Sequence, residues 1–554
     1  MIDRRTLAVT VVALLTVTAG CTSIAEVGGG GDTGGEIGFE DVTGEVGLNY
    51  SDDVAGGAGN GNAGVYVADV DNDGWDDVLA VGGERPVLFE NTGGEFSRSG
   101  ALPEYDRQFK SATFVDYDDD GWKDLLLLPR GGGVVALHND EGSFEPDDVG
   151  LGNVTHPLGA APADFDGDGR VDLFLYQSGD WLEKTPAGKS ALNETLTSDN
   201  GYPNYLYRNV GGEFERVEDA GIEGDRWSLA ATATDLTGDG RPDIYVANDF
   251  NTDVLYVNEG DGTFSQRQLE GPTARNGMSA EVADFDGDRR RDVFVTNIEL
   301  PISRDNMSKE RYELLERMST FAFHSGRTKG NTVMINRGNG TFEDRAESLG
   351  VQTGGWGWAA TATDFDNDGD RDLMHATQNV FRLDPDDPHY TFPMLWERTD
   401  EGFENLAADE RGLPETDGRG LVALDFDNDG DQDVISAAYG DRFAVYENTV
   451  TSDTDRLQFR AVDETGGTAL GATVTVTGEE STQQVVQYSE TDYLSQESQV
   501  GHVGLASEGN VTITVTWPDG TERTFDDVAP NQRVRLSPDG IETVTTFPTG
   551  DQTG

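Results

Sequence analysis

One nine-residue string recurs seven times along this chain and governs what it can fold into. The string D-x-D-x-D-G-x-x-D starts at Asp69, Asp116, Asp164, Asp235, Asp284, Asp364 and Asp425, at spacings of 47, 48, 71, 49, 80 and 61 residues. Five copies fit in full. Thr237 replaces the second Asp of the fourth copy and Arg289 the Gly of the fifth. A small, apolar stretch precedes each copy, as in VYVADV at 65–70, and a β-rich run such as DVLAV, DLFLY or DVISA follows. A third run, often ending in Asn, leads through a Gly turn to a Phe, as in LFENTGGEF and LYVNEGDGTF. The unit therefore reads strand, acidic loop, strand, turn, strand, Gly turn, strand. Seven such units predict an all-β fold with a seven-bladed β-propeller over 37–450.

The seventh unit has YENT at 446–449 but lacks the Gly-x-Phe strand that should follow. The run IGFEDV at 37–42 has the phase of that missing strand, so it is expected to complete the last blade and remove the exposed edges of an open array. The long spacings place insertions at about 178–203, 299–331 and 379–394, the middle one with a short helix at 309–318. From about 451 the repeat gives way to Val/Thr alternation with Gly and Asp-Gly turns, read as a small antiparallel sandwich over 451–540, with a flexible tail at 541–554.

The loop spacing suits a hard cation. Ca2+ takes six to eight oxygens in flexible geometry, and alternating Asp at positions 1, 3 and 5 supplies carboxylates. Gly at position 6 allows a sharp turn, position 7 offers a carbonyl, and Asp at position 9 completes the set. The competing reading is an Asp/Gly turn that binds nothing in an acidic protein. At the fourth copy Thr237 still offers a neutral oxygen; at the fifth, Arg289 brings a cation and a Cβ to the turn.

On these strings the repeats resemble the FG-GAP/VCBS repeats of integrin-α-type propellers. The resemblance implies about seven structural Ca2+. It points to Asp69, Asp71, Asp73 and Asp77; Asp116, Asp118, Asp120 and Asp124; Asp164, Asp166, Asp168 and Asp172; Asp235, Thr237, Asp239 and Asp243; Asp284, Asp286, Asp288 and Asp292; Asp364, Asp366, Asp368 and Asp372; and Asp425, Asp427, Asp429 and Asp433. Trp75, Trp122, Arg170, Arg241, Arg290, Asp370 and Asp431 would contribute carbonyls only. Gly471-Ala472, Tyr493 to Gln496, His502-Val503-Gly504-Leu505 and Trp517 to Gly520 resemble the ASPIC/UnbV domain. The combination is similar to the cartilage acidic protein family and its microbial relatives. Trp517 is expected to be packed and His502 to cap a turn, and Trp356-Gly357-Trp358 to pack within the blades.

The N-terminus reads as an address. Arg4 and Arg5 precede an apolar run, Leu7 to Val17, that is too short to span a bilayer comfortably, and Thr18-Ala19-Gly20-Cys21 follows. This resembles a lipoprotein box, with 1–20 a signal peptide, the single Cys of the chain, Cys21, the lipidated residue, and 21–36 a Gly-rich tether. Arg4-Arg5 also resembles a twin-arginine signal. The expected location is the outer face of the cell membrane, held only through the lipid.

With 104 Asp and Glu against 39 Lys and Arg, a net charge of −65 excludes nucleic acid as a natural partner. Seven Ca2+ would offset only part of it, and the remaining acids resemble the surface of a salt-adapted, halophilic protein. No nucleophile elbow, paired zinc histidines or phosphate loop is present, so no catalytic residue is assigned. The expected function is a calcium-binding surface protein for adhesion to a protein or glycan. Two alternatives stand beside it: a polysaccharide-active enzyme with its site at the propeller mouth, and an assembly factor docking through the C-terminal domain.

Overall fold

The computed structural model of the chain describes residues 34–51, 63–178, 201–267, 269, 276–299, 308–309, 313, 330–378, 392–439, 442–450, 454–479, 481–489, 491–506 and 509–548. The insertions, most of the 309–318 segment and Cys21 with its leader lie outside these residues. Among the described residues the regular structure is almost wholly strand, and each acidic string joins the first two of four adjacent antiparallel strands; the first of these sheets is extended to six by Ser495–Gln496 and Thr491–Asp492. In the first repeat the strands are Gly64–Ala68, Asp77–Val81, Val87–Thr92 and Glu95–Arg98, in spatial order.

Seven sheets follow this plan. In the last, Gly418–Leu424, Asp433–Ala438 and Phe443–Asn448 are completed by the N-terminal strand Phe39–Asp41, with Phe39 opposite Asn448 and Asp41 opposite Tyr446. The phase of 37–42 had predicted this closure. Seven apolar clusters each join two neighbouring sheets, and one of them packs Val65 and Phe89 of the first against Val422 and Ile435 of the last. The architecture is a propeller whose first strands, rich in Ala and Gly, converge on the axis, where large side chains would not fit.

A second bond system, carried by the Asn that ends the third strand, locks sheet to sheet. Asn139 is fully buried; its side-chain amide donates to the Lys123 carbonyl (2.9 Å) and across to the Val70 carbonyl of the preceding sheet (2.8 Å). Asn91, Asn209, Asn258, Asn336 and Asn448 make the same crossing to Phe426, Tyr117, Phe165, Leu236 and Phe365. Their targets are the second residues of neighbouring acidic strings, so the Asn and the loop are two halves of one device. Arg398 stands at this position in the sixth sheet, and only its backbone N–H keeps the pattern, donating to Asp372 at 2.8 Å.

The C-terminal strands form two further four-stranded sheets packed over Phe459, Val474, Ile513 and Trp517. Several expectations are corrected here. The sandwich is mixed, because Asp455–Ala461 and Gln532–Ser537 run parallel: the long intervening chain builds the second sheet before returning. Residues 541–546, expected in a flexible tail, belong to the strand Gly540–Thr546 and pair with Gln532–Ser537. His502 lies within the strand Gly501–Ala506 and caps no turn, whereas Trp517 packs as expected, its indole N–H donating to the Val462 carbonyl at 3.0 Å.

Candidate functional site

The seven acidic loops, numbered 1 to 7 from Asp69, Asp116, Asp164, Asp235, Asp284, Asp364 and Asp425, share one geometry. The first Asp accepts the N–H of positions 5 and 6 on its two oxygens, as Asp69 does from Asp73 (3.0 Å) and Gly74 (3.2 Å). The fifth accepts the N–H of position 7 in every loop, for example Asp73 from Trp75 at 2.9 Å. The ninth accepts the N–H of position 2 and of the residue ending the third strand, as Asp124 does from Tyr117 and Asn139. Position 6 turns left-handed, with Gly74 at φ 92°. Arg289 adopts φ 64°, and its N–H still reaches Asp284 at 2.6 Å, so the fifth loop keeps its shape without the Gly. Position 4 is also left-handed in all seven loops, and Asn, Asp or Gly stands there each time. That requirement was legible in the sequence but is not part of the cation argument.

The loops gather their carboxylates. Positions 1, 3 and 9 converge in, among others, loops 1, 2, 3 and 5: Asp69, Asp71 and Asp77; Asp116, Asp118 and Asp124; Asp164, Asp166 and Asp172; Asp284, Asp286 and Asp292. In each trio one carboxylate oxygen from each residue lies within 4.8 Å of the others. Position 5 joins such a group with His138, beside Asp118 and Asp120. The His138 Nδ1 lies 3.2 Å from both Asp118 and Asp124. No sequence motif announced this histidine, which sits 14 residues beyond Asp124.

Burial opposes the charge these loops hold. It pushes Asp69 up to about 6, Asp77 up to about 8 and Asp364 up to about 7. Asp366 rises to about 9, through burial first and then the neighbouring Asp364 and Asp368. Asp433 stands well above the usual carboxylate range for the same reason, with Asp427 and Asp425 adding to it. The Asp366 Oδ2 is buried without a hydrogen-bond partner. An orphaned oxygen among like charges fits a cation, and several of these acidic clusters can hold a metal ion.

Family comparison fits this geometry. FG-GAP-like repeats match residues 69–127, 116–175, 194–246, 235–295 and 321–375, and the ASPIC and UnbV family matches 463–543. The chain carries FG-GAP-like repeats and a C-terminal ASPIC and UnbV domain. FG-GAP repeats often bind calcium. No curated protein matches the chain. Among solved structures it is similar to one described as an Agrocybe aegerita lectin recognising non-reducing terminal N-acetylglucosamine, at 18% identity and TM-score 0.40, over 65% of this chain and 85% of that one. It is also similar to YCF48 bound to D1 peptide, at 9% identity and TM-score 0.37, over 71% and 95%.

The ASPIC and UnbV domain seats on the acidic-loop rim. The Gly504 N–H donates to Asp364 (3.0 Å), Gln458 to Asp425 (2.9 Å), and Arg460 approaches Asp69 at 3.4 Å. From this rim the segment 491–498 enters the centre of the ring. Thr491–Asp492 and Ser495–Gln496 pair with each other, and the second runs parallel to the first-sheet strand at Val65 and Tyr66. Asp492 accepts the N–H of Ala280 (3.2 Å) and Ala360 (2.8 Å), and Gln496 both accepts from and donates to Phe114. Thr491 donates to Ala231, the Leu494 carbonyl accepts from Val65, and Glu497 accepts from Ala423. Six of the seven sheets thus hold this segment by hydrogen bonds at their first strands. Tyr493 also packs against Trp358, with ring centroids 4.7 Å apart and the rings tilted by 34°, and Arg419 lies 4.0 Å over the same indole. The Tyr-Leu-Ser-Gln string therefore belongs to the propeller axis and not to the C-terminal sandwich where its position in the chain had placed it.

The position-7 arginines also depart from their expected role as carbonyl donors only. Arg170 pairs with Asp168 at 2.9 Å, Arg241 with Asp239 at 2.5 Å, and Arg290 with Asp288.

Proposed function

We propose that this chain is an exported, lipid-anchored surface protein whose seven-bladed propeller is stiffened by Ca2+ and presents the face opposite the acidic loops to a protein or glycan partner. The observation that carries the reading is the seating of the ASPIC and UnbV domain. It covers part of the acidic-loop rim and fills the channel with 491–498, so the opposite rim is the face left for a partner. There Gln177, Thr377 and Val295 end second strands, and the chain runs on into the three long insertions. The two matched families are generally non-catalytic binding domains, which agrees with a role in binding or adhesion. The division 1–20 signal, 21–36 tether, 37–450 propeller and C-terminal sandwich belongs to the same reading, as does a salt-adapted surface.

The enzyme alternative, with its site at the propeller mouth among the insertions, is separated from this reading by turnover of surface glycans. The test is capture of surface glycans and proteins by the full processed chain at high salt, comparing the native protein with one whose 179–200 insertion is replaced by a short Gly-Ser linker. Binding lost with the insertion but kept after disruption of the exposed Thr512–Thr524 surface of the sandwich supports the reading; the converse sinks it. Cys21→Ser is expected to release the protein from the membrane fraction.

A further inference from the structure

The seven loops are not equivalent, and two separate positions say so together. The residue before the Asn that ends the third strand faces the loop of its own sheet: Glu90, His138, Arg208, Val257, Ile335, Glu397 and Glu447 for loops 1 to 7. Arg208 reaches Asp166 at 2.5 Å and His138 reaches Asp118, which shows the direction of this position. Position 7 varies in step: Trp75, Trp122, Arg170, Arg241, Arg290, Asp370 and Asp431. Around the ring, these two positions add positive charge to loops 3, 4 and 5 and negative charge to loops 6 and 7, where Asp431 of loop 7 is paired with Arg456 at 3.3 Å.

The guanidinium groups sit on the carboxylates a cation would need. In loop 3, Arg208 holds Asp166 and Arg170 holds Asp168. In loop 5, Arg337 holds Asp286 at 3.1 Å and Arg290 holds Asp288. In loop 4, Arg241 holds Asp239, and position 3 is Thr237, without a charge. In loops 1 and 7 the third-position Asp71 and Asp427 meet no cationic side chain within ion-pair distance among the described residues. There Arg460 and Arg533 instead touch the Oδ2 of Asp69 and Asp425, the same oxygen that accepts the position-6 N–H. Loop 6 holds the orphaned Asp366 Oδ2. In loop 2 the partner of Asp118 is His138, whose neutral imidazole offers a lone pair and so can join a ligand set, which a guanidinium cannot.

We propose that the ring is divided: loops 1, 2, 6 and 7 take a divalent cation, and in loops 3, 4 and 5 the arginines of the chain stand in its place. Delocalised and always charged, a guanidinium neutralises carboxylates without a metal and does not yield by deprotonation. Each of the cation-demanding loops meets the ASPIC and UnbV domain, which also reaches loop 5, where Arg291 donates to Thr473 at 3.4 Å. Gly504, Gln458 with Arg533, and Arg460 bond the first Asp of loops 6, 7 and 1, and a Cβ on Gly467 would stand 2.7 Å from Asp116 in loop 2. Metal therefore organises four of the loops on which that domain rests, while loops 3, 4 and 5 are self-sufficient.

The inference rests on the reading of the loops as calcium sites, and its test separates the two. The full chain is stripped by chelation, refilled with Ca2+ at high salt, desalted and analysed for metal. Four ions per chain are expected. Six or seven would overturn the division and leave the calcium reading intact, and none would overturn both. Two variants localise the result. In the double variant Arg170→Gln, Arg208→Val, loop 3 is relieved of both arginines and one additional ion is expected; an unchanged count overturns the claim that the arginines exclude the metal. Asp366→Asn is expected to remove one ion, and Asp286→Asn none. Loss of an ion from Asp286→Asn, in a variant with an unchanged far-ultraviolet circular dichroism spectrum, overturns it as well.

Discussion

The interlocking Asn bonds make a prediction whose size follows from the coordinates. In Asn139→Ala three hydrogen bonds disappear: the amide to Val70 at 2.8 Å, the amide to Lys123 at 2.9 Å, and the Gly142 N–H to the Asn139 Oδ1 at 2.8 Å. The backbone N–H to Asp124 is kept, so the loss is that of the side chain alone. A buried hydrogen bond contributes about 1 kcal/mol net, and a buried partner left unmade costs about 1–3 kcal/mol. Val70 is 1% exposed and its carbonyl stays dry, whereas Gly142 is half-buried and can turn to water. The sum is roughly 3–4 kcal/mol, concentrated on the seam between the first two sheets. The assay is urea unfolding followed by Trp fluorescence, at saturating Ca2+ and constant high salt. Asn510→Ala serves as control, because Asn510 bonds Asp527 at the surface and should cost less than about 0.5 kcal/mol. A shift below about 1 kcal/mol for Asn139→Ala, at an unchanged urea dependence, would refute the view that this bond locks the sheets. A changed urea dependence would show the two sheets unfolding separately, which also contradicts a cooperative ring.

Three further outcomes are expected. Stripped of cations, the chain should lose stability as pH rises from about 4 toward 8. Burial lifts Asp77 to about 8 and Asp425 to about 7 in the folded state, so between the unfolded and folded values the native chain binds more protons and each pH increment favours unfolding. Thermal melts of chelated protein at pH 5 and pH 8 check this, and equal midpoints would contradict it; added Ca2+ should flatten the difference. Asp492→Ala deprives the Ala280 and Ala360 N–H groups of a buried acceptor, at a cost of about 3 kcal/mol, and should expose 489–500 to limited proteolysis, whereas an unchanged cleavage pattern would speak against the plug. Dilution from molar salt into dilute buffer with Ca2+ present should lower the unfolding midpoint, because cations bound in the loops offset only a small share of the −65 net charge; an unchanged midpoint would argue against a salt-adapted surface.

What could be read in the sequence was whatever repeats at short range. The acidic string, its flanking strands and the phase of 37–42 each depend on neighbours within a dozen residues, and the sheets and the Phe39–Asn448 pairing follow from them. The Asn at the end of the third strand was visible as a habit of the repeat, but its purpose was not. Its target, the second residue of a neighbouring string, lies 69 residues earlier for Asn139 and 335 residues later for Asn91. No local pattern carries such a distance.

The channel plug was hidden for a different reason. Tyr493 to Gln496 occurs inside a stretch whose composition is that of a sandwich strand, and only the closed ring brings together the six sheets that bond to the segment around it. A propeller axis lined by Ala231, Ala360 and Gly420 leaves backbone groups near a narrow space, and a short hairpin with Thr491, Asp492 and Gln496 answers them with hydrogen bonds while Tyr493 and Leu494 fill the volume. The C-terminal domain is thus more than an appendage, because it completes the interior of the propeller. Its first contacts on the way in are the aspartates of loops 6, 7 and 1, so loss of cations from those loops should loosen the plug before it opens the sheets. In a chelation time course, protease cleavage at 489–500 should therefore precede the change in Trp fluorescence. Simultaneous loss would mean that the loops support the ring as a whole and not the docked domain.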